Sequence, residues 1–348
     1  MLAAQIRFVL LSQKCGELSF DILFLWEYCG IAVWLSFLFV KNQAAERGGT
    51  EKKMKEILFT GAATAIITPL NEKGVDYNKF SDLLEWQISK KIDAIVAVGT
   101  TGEGSTLTDE EHKEAIRFCV EQVKGRVPVI AGTGSNDTAY AVELSRYAKE
   151  VGSDGLLLVT PYYNKATQKG MQISFEAVAN EVKLPSILYN VPSRTGCNLL
   201  PETVARLAEN PYVVGVKEAS GNISQIAKLA SLVGDEIAIY SGNDDQIIPV
   251  LSLGSKGVIS VLSNLLPTET SQMCHLYMEG ETKAAAKMQL DYIDLIDALF
   301  SEVNPIPVKA AMAAMGFCDD YLRLPLTPME AKNREVLLAL MRKAGLSV

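Results

Sequence analysis

Short apolar runs alternate eight times with longer amphipathic stretches between Ala63 and Ser263, and after Thr268 the pattern becomes wholly helical. Those two observations, with the near-continuous β-branched character of the short runs, predict an α/β protein: a (β/α)8 TIM barrel followed by a C-terminal helical appendage. Strands apolar throughout suit a parallel sheet buried on both faces. A doubly wound sheet usually stops at five or six strands and carries a phosphate loop, which is missing here.

The expected strands are 63–69, 94–99, 128–134, 155–161, 186–191, 213–219, 237–243 and 257–263. Helical periodicity lies between them at 78–90, 109–124, 139–152, 170–182, 201–209 and 224–233. Thr108 followed by Asp109, Glu110 and Glu111 reads as a capping box, and Pro201-Glu202 follows the preference for proline in the first helical turn. Further helices are expected at about 268–279, 281–300, 305–315 and 328–345. The chain therefore divides into residues 1–53, a barrel at 54–280 and a helical region at 281–348.

The first 53 residues do not match the rest. Ile22 to Val40 is nineteen residues with one charge, Glu27, and two of the three tryptophans, Trp26 and Trp34, lie there. Its length is marginal for a membrane span. Asp21 and Glu27 spoil a signal-peptide core, and no small-residue cleavage site follows. Three readings stand: a translated upstream segment with Met54 as the true start, a membrane anchor, or an accessory segment. In each the chemistry lies downstream, and a cytoplasmic enzyme with no membrane partner is expected.

The balance of 41 Asp+Glu to 33 Lys+Arg, a net charge of -8, argues against a nucleic-acid binder. The six cysteines are scattered, with no C-x-x-C pair, and neither His112 nor His275 has ligand spacing. No metal is expected, and reduced thiols suit the cytoplasm.

In such a barrel, function sits where the strands end. The second strand ends in Gly99-Thr100-Thr101-Gly102-Glu103-Gly104-Ser105, which lacks the lysine of a phosphate loop. Gly132-Thr133-Gly134-Ser135-Asn136-Asp137 lacks the third glycine of a dinucleotide fingerprint. A glycine-lined turn of hydroxyls and N–H groups suits a small carboxylate, or is simply a turn. Lys217 falls inside the apolar run Val213–Ala219. Burial there would depress its pKa, as a Schiff-base amine requires; the alternative is a structural ion pair with Glu218 or a neighbour. Tyr189 at the fifth strand end can move a proton, and Arg194 just beyond can clamp a carboxylate. Tyr162 and Tyr163 follow the fourth strand, where Tyr162 equally suits packing against a partner. One lysine, three tyrosines, two threonines and an arginine at one rim describe amine catalysis on a keto acid.

Five blocks in order carry a more specific resemblance: Gly99-Thr-Thr-Gly-Glu103, Val159-Thr-Pro-Tyr-Tyr-Asn164, Leu188-Tyr-Asn-Val-Pro-Ser-Arg-Thr-Gly196, Gly215-Val-Lys-Glu-Ala219 and Asn304-Pro-Ile-Pro-Val-Lys309. From about Phe59 to Leu346 the chain resembles the dihydrodipicolinate synthase family of class I pyruvate-dependent aldolases. The resemblance implies that Lys217 forms a Schiff base with pyruvate and that Tyr189, Thr100 and Tyr163 relay protons. It implies that Thr101 and Ile259 hold the pyruvate unit and that Arg194 binds the carboxylate of L-aspartate-4-semialdehyde. It further implies no cofactor and a homo-oligomer, a tetramer built as a dimer of dimers, with Tyr163 reaching into a neighbouring site.

In lysine-inhibited relatives a cleft at the tight dimer interface binds lysine. His112, Asn136 and Tyr162 match that cleft, but Gly104, Asp109 and Tyr140 stand where such relatives carry serine, histidine and glutamate. Weak lysine feedback is therefore expected. The rival readings are a sister aldolase, acting on N-acetylneuraminate or 2-keto-3-deoxy sugar acids, and a non-catalytic sensor of pyruvate or lysine. Arg194 and the Thr100-Thr101 pair favour the carboxylated aldehyde over a sugar.

Overall fold

The computed structural model describes residues 54–348, and the hydrophobic segment 22–40 lies outside them. The eight barrel strands are β1 (Gly61–Ala65), β4 (Ala94–Ala97), β5 (Val129–Gly132), β6 (Gly155–Val159), β7 (Ser186–Asn190), β8 (Val213–Glu218), β9 (Ala238–Ser241) and β10 (Gly257–Ser260). Each pairs in parallel with its neighbours in that order, and β1 closes the ring by pairing with both β10 and β4. The closure is tight. Gly257 has φ +146°, and a Cβ there would lie 1.8 Å from the Gly61 carbonyl oxygen, so only glycine lets the first and last strands approach.

Local chemistry starts the surrounding helices where the sequence suggests. Helix α1 (Tyr77–Ser89) is capped by Asp76, and α2 (Asp109–Val123) by the full Thr108/Glu111 capping box. Asp137 caps α3 (Thr138–Glu150) and Thr167 caps α4 (Gln168–Val182). After β7 comes one turn, α5 (Pro192–Thr195), then α6 (Pro201–Leu207), which carries Pro201 in its first turn. Asn222 caps α7 (Ile223–Val233), and α8 (Ile247–Leu251) and α9 (Pro267–Met278) flank β10.

Two packed clusters result from alternation along each strand. Ala63, Val96, Ile130, Leu157, Ile187, Tyr240 and Ile259 fill the barrel interior. Ile95, Ala131, Leu156, Leu188, Val216 and Val258 face the helices, among larger helix residues such as Phe80, Ile116 and Phe175. Phe59 stacks on Tyr240 at 4.3 Å between ring centroids, and the Tyr240 hydroxyl donates to the Phe59 carbonyl at 2.8 Å, giving this buried phenol its partner.

The first strand sits earlier than the expected 63–69. Beyond Ala65 the chain leaves the sheet: Ile67 N–H donates to Asn264 Oδ1 and the Thr68 hydroxyl to the Gly102 carbonyl. A two-residue hairpin, β2 (Leu70–Asn71) with β3 (Gly74–Val75), then precedes α1. The helix expected over 281–300 is interrupted at Tyr292, giving α10 (Thr282–Asp291) and α11 (Ile293–Leu299). Helices α12 (Ile306–Ala314) and α13 (Ala331–Lys343) complete the described residues. The described residues belong to one compact unit. Among the described residues no helix is long and apolar enough to cross a membrane.

Candidate active site

Every residue of β8 is buried, and alternation sends Gly215 and Lys217 inward while Val216 and Glu218 face the helices. Lys217 is 6% exposed and stands in register between Tyr189 on β7 and Tyr240 on β9. Its Nζ lies 4.4 Å from the centroid of the Tyr189 ring. Burial lowers its pKa to about 7; the buried carboxylate of Asp244 acts against that, and the Arg194 charge acts with it.

The alternative of a structural pair with Glu218 does not hold. That carboxylate points to the outer face, accepting from Asn190 Nδ2 at 3.0 and 3.2 Å and from the Ser220 N–H at 2.8 Å. Lys217 makes no ion pair among the described residues. A buried lysine with no carboxylate in ion-pair contact and a pKa near neutrality has the properties a nucleophilic amine requires.

Tyr189 is also buried, and burial raises its pKa, opposed by the Arg194 charge and a hydrogen bond with the Thr100 hydroxyl. At neutral pH it is a protonated phenol able to donate. A cavity of about 170 Å³ opens over these groups and is lined by Thr100, Thr101, Tyr189, Arg194, Lys217 and Asn304 among others. Asn304 Nδ2 donates to Thr101 Oγ1 at 3.1 Å, which leaves the Thr101 hydroxyl proton for a ligand. Arg194 Nη2 donates to the Asn304 carbonyl at 3.2 Å, which holds the guanidinium at the cavity wall. A small carboxylate with a ketone beside it fits this set of donors around one amine.

Five of the expected residues thus come together: Lys217, Tyr189, Thr100, Thr101 and Arg194. Ile259 does not line this cavity; the residue is 1% exposed in the barrel core. Tyr163 does not line the cavity. It is 89% exposed with φ +70°, a conformation costly for a residue with a Cβ.

A second cavity of about 290 Å³ shares Thr100, Tyr189 and Arg194 and runs on to His112, Tyr140 and Tyr162. His112 Nε2 donates to the Gly132 carbonyl at 2.9 Å, and burial lowers its pKa. Asp109 holds Lys113 at 2.9 Å, and the Tyr140 phenol, raised by burial and then by its hydrogen bond to Asp109, leans into the same cleft. Gly104 is required here, because a Cβ would meet the Val98 carbonyl oxygen at 2.6 Å. Asn136 does not line the cavity; its carbonyl accepts from Asn164 Nδ2 at 3.0 Å.

Sequence reasoning did not single out Asn304 or Asp244 as site residues. Asn304 opens the last of the five blocks, which was the available signal. Asp244 sits just past β9, where its Oδ2 accepts from the N–H groups of Val261 and Leu262, both at 2.9 Å. Among the described residues no group of three or more His, Cys, Asp or Glu could hold a metal ion. The four described cysteines, Cys119, Cys197, Cys274 and Cys318, are free and buried.

Known proteins resemble this chain over nearly all the described residues. The 4-hydroxy-tetrahydrodipicolinate synthase of Thermoanaerobacter sp. (strain X514) is 53% identical over 290 residues, which is 83% of this chain and 98% of the relative. The dihydrodipicolinate synthase structure from Aquifex aeolicus superimposes with a TM-score of 0.81 at 43% identity, covering 83% of this chain and 99% of that one. The chloride-inhibited dihydrodipicolinate synthase from Acinetobacter baumannii, solved in complex with pyruvate, gives the same TM-score, identity and coverage. The family model described as the dihydrodipicolinate synthetase family matches residues 58–344. The chain belongs to the dihydrodipicolinate synthase family.

Proposed function

We propose that the chain condenses pyruvate with L-aspartate-4-semialdehyde to (4S)-4-hydroxy-2,3,4,5-tetrahydrodipicolinate, the first committed step of lysine and diaminopimelate formation, through a Schiff base on Lys217. The observation that carries this reading is the unpaired, buried Lys217 amine against the Tyr189 phenol at the base of a cavity with hydroxyl and guanidinium donors. Family membership and the relatives' activity support the synthase over a sister aldolase. Arg194 supports it independently, since a guanidinium at the cavity wall suits a carboxylated aldehyde.

The chemistry follows from the geometry. The neutral Lys217 amine adds to the pyruvate ketone, and the resulting carbinolamine takes up a proton through Tyr189 and loses water, leaving a protonated imine. That cation draws electrons from the adjacent methyl group, whose proton leaves to give an enamine. The enamine carbon attacks the aldehyde carbon, and the aldehyde oxygen takes a proton through Tyr189 and Thr100 to become the 4-hydroxyl. The substrate amine then adds to the imine carbon, closes the ring and expels Lys217 as a free amine. Thr101, with the Ile259 backbone, holds the pyruvate unit, and Arg194 the aldehyde's carboxylate.

Exposed Tyr163 with its strained backbone suits donation across an interface, so that Tyr163 of the partner subunit completes the relay. The assembly proposed is a tetramer built as a dimer of dimers, in a reducing cytoplasm that suits the free thiols.

Pyruvate consumption by the full chain, with and without L-aspartate-4-semialdehyde, tests this. Semialdehyde-dependent loss is expected, together with borohydride trapping of pyruvate on Lys217. Activity that survives Lys217→Ala refutes the Schiff base, and trapping without semialdehyde-dependent consumption points to a sister aldolase.

A further inference from the structure

Inside the molecule, outside the residues that line the Lys217 cavity, lies an ion pair with no exposed face. Lys309 on α12 is 0% exposed and Glu103, in the turn after β4, is 2% exposed; Nζ and Oε1 are 2.7 Å apart. Lys309 Nζ also donates to the Thr68 carbonyl at 2.8 Å, and the Arg323 N–H reaches Glu103 Oε2 at 3.3 Å. Glu103 has φ +55°, so the backbone is held in a region that favours glycine.

The turn it anchors is the one that carries Thr100 and Thr101. Glu103 N–H donates to the Thr100 carbonyl at 3.2 Å, Gly104 N–H to the Gly99 carbonyl at 3.3 Å, and the Thr68 hydroxyl to the Gly102 carbonyl at 2.7 Å. Lys309 therefore grips the turn from both sides, through Glu103 directly and through Thr68. Five residues earlier, Asn304 holds the Thr101 hydroxyl by its side chain and Arg194 by its carbonyl. One short stretch of the C-terminal helical region thus touches the supports of three cavity groups.

Removing two charges from water is costly, and replacing such a pair by apolar residues of similar volume is often neutral or stabilising. Stability alone is a poor account of a pair at this place; holding one geometry for the turn is a better one. We infer that Glu103 and Lys309 are positioning residues for the proposed reaction, fixing the Thr100–Thr101 turn so that one hydroxyl faces the pyruvate carboxylate and the other faces Tyr189. This rests on the function proposed above.

The test uses the full chain and the double variant Glu103→Leu/Lys309→Met, which removes both charges and leaves none unpaired. It should melt close to the parent and trap pyruvate on Lys217 under borohydride with the same stoichiometry. The acid limb of its pH profile should not move, because the low Lys217 pKa comes first from burial. Its kcat should nevertheless fall at least about tenfold and its KM for pyruvate rise about threefold or more, because the hydroxyls are misplaced. Adding Thr100→Val should then cost less than about threefold more, as expected for residues acting as one unit. A folded double variant with parental kcat and KM overturns the inference, as does a loss that adds fully to that of Thr100→Val or comes with lost trapping or a shifted limb. Should the double variant not fold, Glu103→Gln decides by the same readouts, and parental activity there overturns it. Failure of the functional reading looks different: the parent itself would show no semialdehyde-dependent consumption.

Discussion

Replacing Lys217 by methionine should abolish the chemistry and stabilise the protein at the same time. Burial takes the amine from an ordinary pKa of 10.5 to about 7. At about 1.4 kcal/mol for each tenfold change, that gap represents about 5 kcal/mol of disfavoured charge. The unfolded chain keeps this lysine protonated up to about pH 10.5, whereas the folded chain releases the proton above about pH 7. The unfolded state therefore binds more protons across that window, and the parent gains stability as pH rises through it. Methionine has a similar length and no charge to desolvate. Its advantage should be greatest at and below pH 7, about 4 kcal/mol there, and about 2 kcal/mol at pH 9, vanishing near pH 10.5. For a chain of this size the pH 7 value corresponds to a Tm higher by about 5 to 10 °C. Calorimetry at pH 7 and pH 9, with borohydride trapping as the activity control, measures both halves. A methionine variant that melts at or below the parent at pH 7, or whose advantage is the same at pH 9, refutes the account of a costly, unpaired amine.

The same pKa sets a rate profile: kcat/KM for pyruvate should climb about tenfold per pH unit below pH 7 and level off above it, and a flat profile from pH 5.5 to 9 would contradict the neutral nucleophile. Tyr189→Phe should lower kcat by about 10² to 10⁴ and slow pyruvate trapping on Lys217 without reducing its final extent; trapping at the parental rate would take Tyr189 out of imine formation. Lysine should inhibit with a constant no tighter than about 1 mM, because Tyr140 offers the ammonium group no carboxylate. Tyr140→Glu should strengthen that inhibition, and a sub-millimolar constant in the parent would refute the reading.

Much of this site could be read along the chain because it is made of strand ends. A lysine within Val213–Glu218 stands out against apolar neighbours, and a tyrosine ending Ser186–Asn190 does so too; parallel pairing then sets the two side by side. The capping box at Thr108 is equally local and is found where expected. What escaped is what depends on contacts between distant residues. Lys309 and Glu103 are 206 positions apart, and Asn304 and Thr101 are 203 apart, so neither pairing leaves a periodic trace. The early end of β1 has the same origin, since Asn264 takes over the Ile67 N–H from 197 residues away. Whether Lys217 pairs with Glu218 was undecidable until the strand's inner and outer faces were known.

Those two faces also sort what substitution can achieve. On β7 from Ile187 and on β8 from Gly215 the odd-numbered positions, Ile187, Tyr189, Gly215 and Lys217, look into the barrel, and their even-numbered neighbours Leu188, Asn190, Val216 and Glu218 look toward the helices. On β4 the parity is reversed, with Ala94 and Val96 inside. A library meant to reshape substrate choice gains by varying only the inward set and the turns beyond it, while the outward set serves a search for heat resistance. Randomising whole strands would mix the two and spend most of its members on chains that no longer fold.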